Sequence, residues 1–200
     1  MIFGLFATPI GRHDIERELT EKEISFVKNL ETTKNEGNVN SVNTYILNEP
    51  ELKDINEFLE TKVKEYFLET YIPKDDFDLA ITQSWSNVTK KDEYHHKHSH
   101  ANSLISGVFY VQADENKDKI HFFKEQINTL DVYSENFNEW NAQSWWFPVK
   151  TGQLFLFPSR LHHMVERLDH DQERISIAFN TFPYGLLGRK ESLTQLKVNR

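Results

Sequence analysis

The sequence predicts an all-β core with helical additions: an antiparallel sandwich or barrel with two helices packed outside one sheet. Three observations predict it. From Asp76 onward the period changes to two: Phe77, Leu79, Ile81, Gln83 and Trp85 alternate with other residues, as in a strand. Seven or eight such runs follow one another with no amphipathic helix between them. Turn-forming clusters separate them, among them Asp114-Glu115-Asn116-Lys117 and Asp169-His170-Asp171.

The elements can be justified in order. Thr20-Glu21-Lys22-Glu23 is a capping-box sequence, and Ile24, Val27 and Leu30 then fall on one face of a helix ending near Leu30. Ser41 to Leu47 reads as a short strand. Pro50 suits the first turn of a second helix, in which Leu52, Ile55, Leu59, Val63, Tyr66 and Phe67 recur at three- and four-residue spacing up to about Tyr71. Strands are then expected at 98–112, 119–124, 144–149, 153–157, 164–167 and 174–182. The polar segment from Gln126 to Asn141 is long for a hairpin loop, and loops of that length are usually functional or disordered. No repeat, linker or low-complexity block divides the 200 residues, so one domain is expected, with 1–75 mostly helical and 76–185 forming the β core.

Composition removes several function classes. A net charge of -8 argues against nonspecific nucleic-acid binding, which needs clustered Lys and Arg. The absence of cysteine excludes disulfides, Cys-ligated zinc and iron–sulfur clusters. Any metal must sit on His, Asp or Glu. The N-terminal stretch lacks a basic n-region, and no apolar run approaches about 20 residues, so a cytoplasmic protein without a membrane span is expected.

The chemistry is concentrated in YHHKHSHANSLISGVFY, residues 94–110. His98 and His100 are two apart, so on one strand both imidazoles point to the same face. Imidazole suits iron, zinc, copper and nickel. A third ligand must come from elsewhere, and His162 and His163 compete for that role after FLFPSRL. Downstream, ERISIAFN puts Arg174, Ser176, Ala178 and Asn180 on one strand face. An inward Arg with a Ser two residues on is an anion clamp: the guanidinium pairs bidentately with a carboxylate and the hydroxyl adds a hydrogen bond.

Four stretches in order resemble the iron(II)/2-oxoglutarate-dependent dioxygenases. The resemblance is to a hydroxylase branch, common in phage and marine bacterial genomes, whose pattern is HxHxNSxxSGVYY, FPSxLxHxV and ERISIxFN. The stretches are QSWSNV at 83–88, HSHANSLISGVFY at 98–110, GQLFLFPSRLHHMV at 152–165 and ERISIAFN at 173–180. Each is weak alone; their joint occurrence is specific. The resemblance implies a double-stranded β-helix, or cupin-like jelly roll. It implies iron(II) on His98, His100 and His163, selecting His163 over His162, with dioxygen and 2-oxoglutarate as cosubstrates. It also implies Arg174 and Ser176 on the distal carboxylate of 2-oxoglutarate, with Asn87 and Tyr110 at cosubstrate-bonding positions. The wider superfamily uses HxD…H, so His100 replaces the usual carboxylate ligand. Three neutral imidazoles leave iron(II) its formal charge of about +2, which a 2-oxoglutarate dianion cancels.

Blander readings accompany each feature. His95 and His96 read as a solvated loop pair, and His13, His121 and His170 as structural or surface residues. Trp140, Trp145, Trp146 and Phe147 read first as sandwich core, and second as the lining of a substrate mouth. Gly107 inside a strand marks a bulge or a close backbone approach. Two other functions compete: a three-His cupin-like dioxygenase that does not use 2-oxoglutarate, and a non-enzymatic metal-bearing binding module. Arg174 and Ser176 count against the first. The substrate stays open between a protein side chain, a free amino acid, a nucleobase and a small metabolite, and the oligomeric state stays open too.

Overall fold

The fold is described from a computed structural model, which covers residues 2–74, 77–125 and 132–199. In chain order the elements are β1 (Gly11–Asp14), α1 (Glu21–Lys28), β2 (Thr32–Lys34), β3 (Val39–Ser41), α2 (Lys53–Tyr71), β4 (Phe77–Thr89), β5 (His95–His98), β6 (Ile105–Gln112), β7 (Lys119–Phe123), β8 (Ser144–Pro148), β9 (Gln153–Pro158), β10 (His163–Val165), β11 (Arg174–Leu187) and β12 (Leu196–Val198). Among the described residues they form two antiparallel sheets. The larger runs β1-β9-β6-β11-β4-β3-β2, with β12 added to β11, and the smaller runs β5-β10-β7-β8. This is the expected jelly roll with helices outside one sheet.

Both helices start as their sequences dictate. The Thr20 side chain accepts from the Glu23 backbone N–H, and the Glu23 carboxylate accepts from that of Thr20, closing the capping box. Two short 3-10 turns, Ile46–Asn48 and Pro50–Leu52, lead into α2, whose Ile55, Leu59, Val63, Tyr66 and Phe67 are all buried. That face packs on one side of the larger sheet, against Phe109, Val111, Leu154, Leu156, Ile175, Ile177 and Phe179. Strand alternation then sends the intervening residues into the space between the sheets. Tyr110, Phe155 and Phe157 meet Ile120, Phe122, Val149 and Leu161 there. On β11 the same alternation turns Arg174, Ser176, Ala178 and Asn180 inward. Gly107 is required by close approach: a Cβ there would stand 2.1 Å from the Phe179 ring.

Several expectations need correcting. Residues 98–112 are not one strand. β5 and β6 lie in different sheets, joined by a crossover in which Asn102 takes a positive φ of 54°. Ser41–Leu47 is not a strand: β3 ends at Ser41 and a 3-10 turn follows, because Ser41 Oγ bonds the Asn43 carbonyl and bends the chain. The N-terminal part contributes β1, β2 and β3 to the larger sheet as well as two helices. Trp140, Trp145 and Trp146 are roughly half exposed rather than core: Trp145 and Trp146 lie on β8, the edge of the smaller sheet, and Trp140 in the turn before it; Phe147 alone of the group packs inward on Phe155. Of the polar segment 126–141, residues 126–131 lie outside the described residues, and 132–141 carry no helix or strand. No described helix is long and apolar enough to cross a membrane.

Candidate metal centre and anion clamp

Three histidines converge between the sheets. His163 on β10 pairs directly with His98 at the end of β5. His100 is not on that strand. It sits in the crossover, held by its backbone N–H to the Ser159 carbonyl at 2.8 Å. The two Nε2 atoms nevertheless stand 3.1 Å apart, although His100 lies just beyond the end of β5. One ring nitrogen from each of His98, His100 and His163 lies within 4.8 Å of the others. His163 is buried while His162 is exposed, so the alternation of β10 itself chooses between the pair.

Second partners fix the tautomers. His98 Nδ1–H donates to the His96 carbonyl at 2.8 Å, and His163 Nδ1–H donates to the Leu161 carbonyl at 3.0 Å. His100 Nδ1–H donates to Asn180 Oδ1 at 2.6 Å, with Ser106 Oγ 2.9 Å from the same nitrogen. All three Nε2 atoms are thereby left as lone-pair acceptors. His98 Nε2 and His100 Nε2 face one another at 3.1 Å with no proton to share. A cation resolves that contact: two nitrogens at right angles around an ion, each about 2.1 Å from it, stand about 3.0 Å apart. Burial pushes His98 down to about 4 and lowers His100 and His163 as well, the last also through the other two rings. Each is neutral, the ligating form, at neutral pH.

His95, His96 and His98 form a second candidate cluster. His95 and His96 are thus not a solvated loop pair: both are on β5, and His95 stacks on His98 with centroids 4.5 Å apart. His95 fits a metal less well, because its Nε2 faces the Asn35 amide nitrogen at 3.5 Å. A cavity of about 250 Å³ opens beside the histidines, lined by Trp85, Asn40, His95, His96, His100 and Asn180.

The candidate anion clamp lies along the same inward face. Ser176 is in register with Asn87 on β4 and with Tyr110 on β6, so the three form one row across adjacent strands. Arg174 is two residues further along. All four are buried, Tyr110 at 1% and Arg174 at 5% exposure. Among the described residues Arg174 Nη2, Tyr110 Oη and Asn87 Oδ1 have no hydrogen-bond partner. A buried donor left unpaired costs about 1–3 kcal/mol, and a polar ligand in this row would satisfy these groups. Burial pushes the Tyr110 phenol up, keeping it a neutral donor. The Arg174 charge is close enough to contribute to lowering His95, whose largest cause is burial.

Sequence reasoning missed two parts. Asn180 was placed on the inward face without a role, yet it orients His100. Asp118 was passed over entirely. It is 2% exposed and takes Arg174 Nη1 at 3.2 Å. The signal available was an acidic residue just beyond a turn, beside the first residue of a strand.

Residues 83–180 match the family model described as "Putative 2OG-Fe(II) oxygenase". No curated protein sequence matches the chain. Solved structures share its fold at low identity. One is a 2OG-Fe(II) oxygenase-family oxidoreductase from Burkholderia pseudomallei, with TM-score 0.55, 12% identity, and coverage of 78% of this chain and 74% of that one. Another is HygX from Streptomyces hygroscopicus, solved with nickel, 2-oxoglutarate and hygromycin B, with TM-score 0.55, 12% identity and coverage of 87% and 82%. A third is SnoN, a non-heme alpha-ketoglutarate-dependent epimerase of nogalamycin biosynthesis, with TM-score 0.59, 11% identity and coverage of 88% and 78%.

Proposed function

We propose that this chain, whose residues 83–180 match the 2OG-Fe(II) oxygenase family model, is an iron(II)- and 2-oxoglutarate-dependent dioxygenase that hydroxylates its substrate. The observation that carries the reading is the common tautomer of His98, His100 and His163, which aims three Nε2 lone pairs at one point. These three side chains would hold iron(II). Iron(II) with dioxygen and 2-oxoglutarate supplies oxidative decarboxylation of the 2-oxo acid coupled to oxidation of a substrate C–H bond.

The chain's own residues bind and orient. Arg174 Nη2 and Tyr110 Oη donate to the distal carboxylate of 2-oxoglutarate, with Ser176 and Asn87 in the same row. Asn180 and the backbone carbonyls of His96 and Leu161 keep the imidazoles in their ligating orientation. The Phe122 and Phe157 rings pack on His163 and keep water from that side. Trp85 packs on His100 at the cavity wall. At about 250 Å³ the cavity is smaller than a drug-sized pocket, which favours a protein side chain or small metabolite as substrate.

The family supports an oxidoreductase, and hydroxylation is the finer claim. SnoN is an epimerase, so this fold serves another outcome in that protein. The test is succinate formation from 2-oxoglutarate, followed by mass spectrometry with iron(II) and ascorbate. Wild type is expected to form succinate and His163→Ala none. If wild type forms none, with candidate substrates included, the dioxygenase reading is lost and a metal-bearing binding module replaces it.

A further inference from the structure

Asp118 is a buried carboxylate with no role in the reading above. It follows the turn between β6 and β7, and the turn fixes it. Its backbone N–H donates to the Asp114 carbonyl at 2.7 Å, and its own carbonyl accepts from Val149 at 3.1 Å. One side-chain oxygen, Oδ2, accepts the Asp114 backbone N–H at 2.8 Å. The other, Oδ1, accepts Arg174 Nη1 at 3.2 Å, with His170 Nε2 3.5 Å from the same atom. The Asp118 side chain is 1% exposed and that of Arg174 is 5% exposed, so the pair is out of water.

Such a carboxylate does two things to the guanidinium. It ties the Nη1 end, and it leaves Nη2 buried without a partner, as Tyr110 Oη also is. It also cancels the charge. A buried cation without a counter-ion is costly, so an unpaired Arg174 would capture whatever small anion is at hand. A paired one is offered to an incoming anion only through directed hydrogen bonds. Because Asp118 is locked by the Asp114 N–H, it is not a plug that must swing away.

We propose that Asp118 is a specificity-determining residue: it neutralises and aims Arg174, so that the clamp accepts a carboxylate placed between Nη2 and Tyr110 Oη and rejects small inorganic anions such as chloride. The inference rests on the reading of Arg174 as the cosubstrate's carboxylate clamp.

The test uses the full chain loaded with cobalt(II) and two probes. N-oxalylglycine spans the metal and the clamp; oxalate reaches the metal alone. Affinities are measured by calorimetry with chloride exchanged for the bulky HEPES anion at constant ionic strength. For wild type the N-oxalylglycine affinity should not depend on which anion is present. In Asp118→Asn, chloride should weaken it by at least about tenfold, corresponding to about 1.4 kcal/mol, while oxalate binding stays unchanged. Arg174→Ala should weaken N-oxalylglycine and leave oxalate alone. If Arg174→Ala binds N-oxalylglycine as wild type does, the clamp reading itself fails and takes this inference with it. If Arg174→Ala behaves as expected but Asp118→Asn shows no chloride competition, or loses oxalate equally, the inference alone is overturned. The wild-type arm needs no variant: chloride competition in the native chain also overturns it.

Discussion

The two ends of the inward face both bury polar groups, and they do so in opposite ways. At the histidine end the groups are neutral, and each Nδ1–H is already satisfied by a carbonyl oxygen. What remains is three lone pairs facing one point. At the arginine end the group is a cation, balanced by one fixed carboxylate and left with an unpaired donor. The first end asks for a positive ion and the second for a negative group. A 2-oxo diacid chelated to a metal meets both demands at once, because its two ends differ in the same way. The comparison also ranks the costs. Losing an imidazole removes a ligand outright, whereas losing a clamp donor removes one charge-assisted hydrogen bond.

The largest expected effect is therefore at the histidine end. His163→Ala should abolish stoichiometric metal binding, while His162→Ala and His95→Ala should not; elemental analysis after desalting reads the outcome. Full metal occupancy in His163→Ala would break the three-histidine assignment and favour the cluster of His95, His96 and His98. Next comes the clamp. Arg174→Ala should weaken 2-oxoglutarate roughly ten- to hundredfold, from the ~1.5–3 kcal/mol of a hydrogen bond to a charged group, and Arg174→Lys should recover only part of it. An unchanged dissociation constant by calorimetry would remove the difference between the two ends.

A smaller effect sharpens the histidine end. Asn180→Ala deletes the acceptor that holds His100 Nδ1–H, and loss of such a partner typically costs 10- to 100-fold in metal affinity. Cobalt(II) titration should show this weakening, with Asn180→Asp recovering the affinity because its carboxylate accepts the same proton. If Asn180→Ala titrates like wild type, Ser106 suffices to hold His100.

Much of this contrast was legible in the sequence. Residue type and order singled out His98, His100, Arg174 and Ser176, the family resemblance selected His163 over His162, and the register puts Ser176, Asn87 and Tyr110 in one row. The break between β5 and β6 was not legible. The run 98–112 reads as a single strand, yet beyond His100 the chain turns through Asn102, in the left-handed backbone that Asn tolerates, before entering β6. Asp118 was hidden for a different reason. Acidic residues at turns are usually solvated, whereas this one is held inward by the Asp114 N–H and the Arg174 guanidinium. The edge strand β1, GRHD, carries no alternating apolar pattern, because it is held by backbone pairing to β9.

The smallest expected effect lies away from the site and serves as its control. Thr20→Ala should cost about 1 kcal/mol by removing the helix cap and leave metal and 2-oxoglutarate binding unchanged. Burial alone would raise the Glu23 carboxyl, but the Arg17 and Thr20 hydrogen bonds outweigh it and hold it below its ordinary value of 4.5. A carboxylate with a depressed folded-state pKa adds stability above its unfolded value that is lost as pH falls below it. Glu23→Gln should therefore be less stable than wild type at neutral pH, and the gap should shrink below about pH 4.5 in denaturant titrations.

The proposed activity requires one site to hold a metal at three imidazoles and a diacid at Arg174 together. Anaerobic titration of the wild-type chain with iron(II), then with 2-oxoglutarate, tests this most directly. One equivalent of iron(II) should bind, and the weak visible charge-transfer band of the chelate should then grow and saturate at one equivalent of 2-oxoglutarate. Iron(II) binding with no band at any 2-oxoglutarate concentration would contradict it.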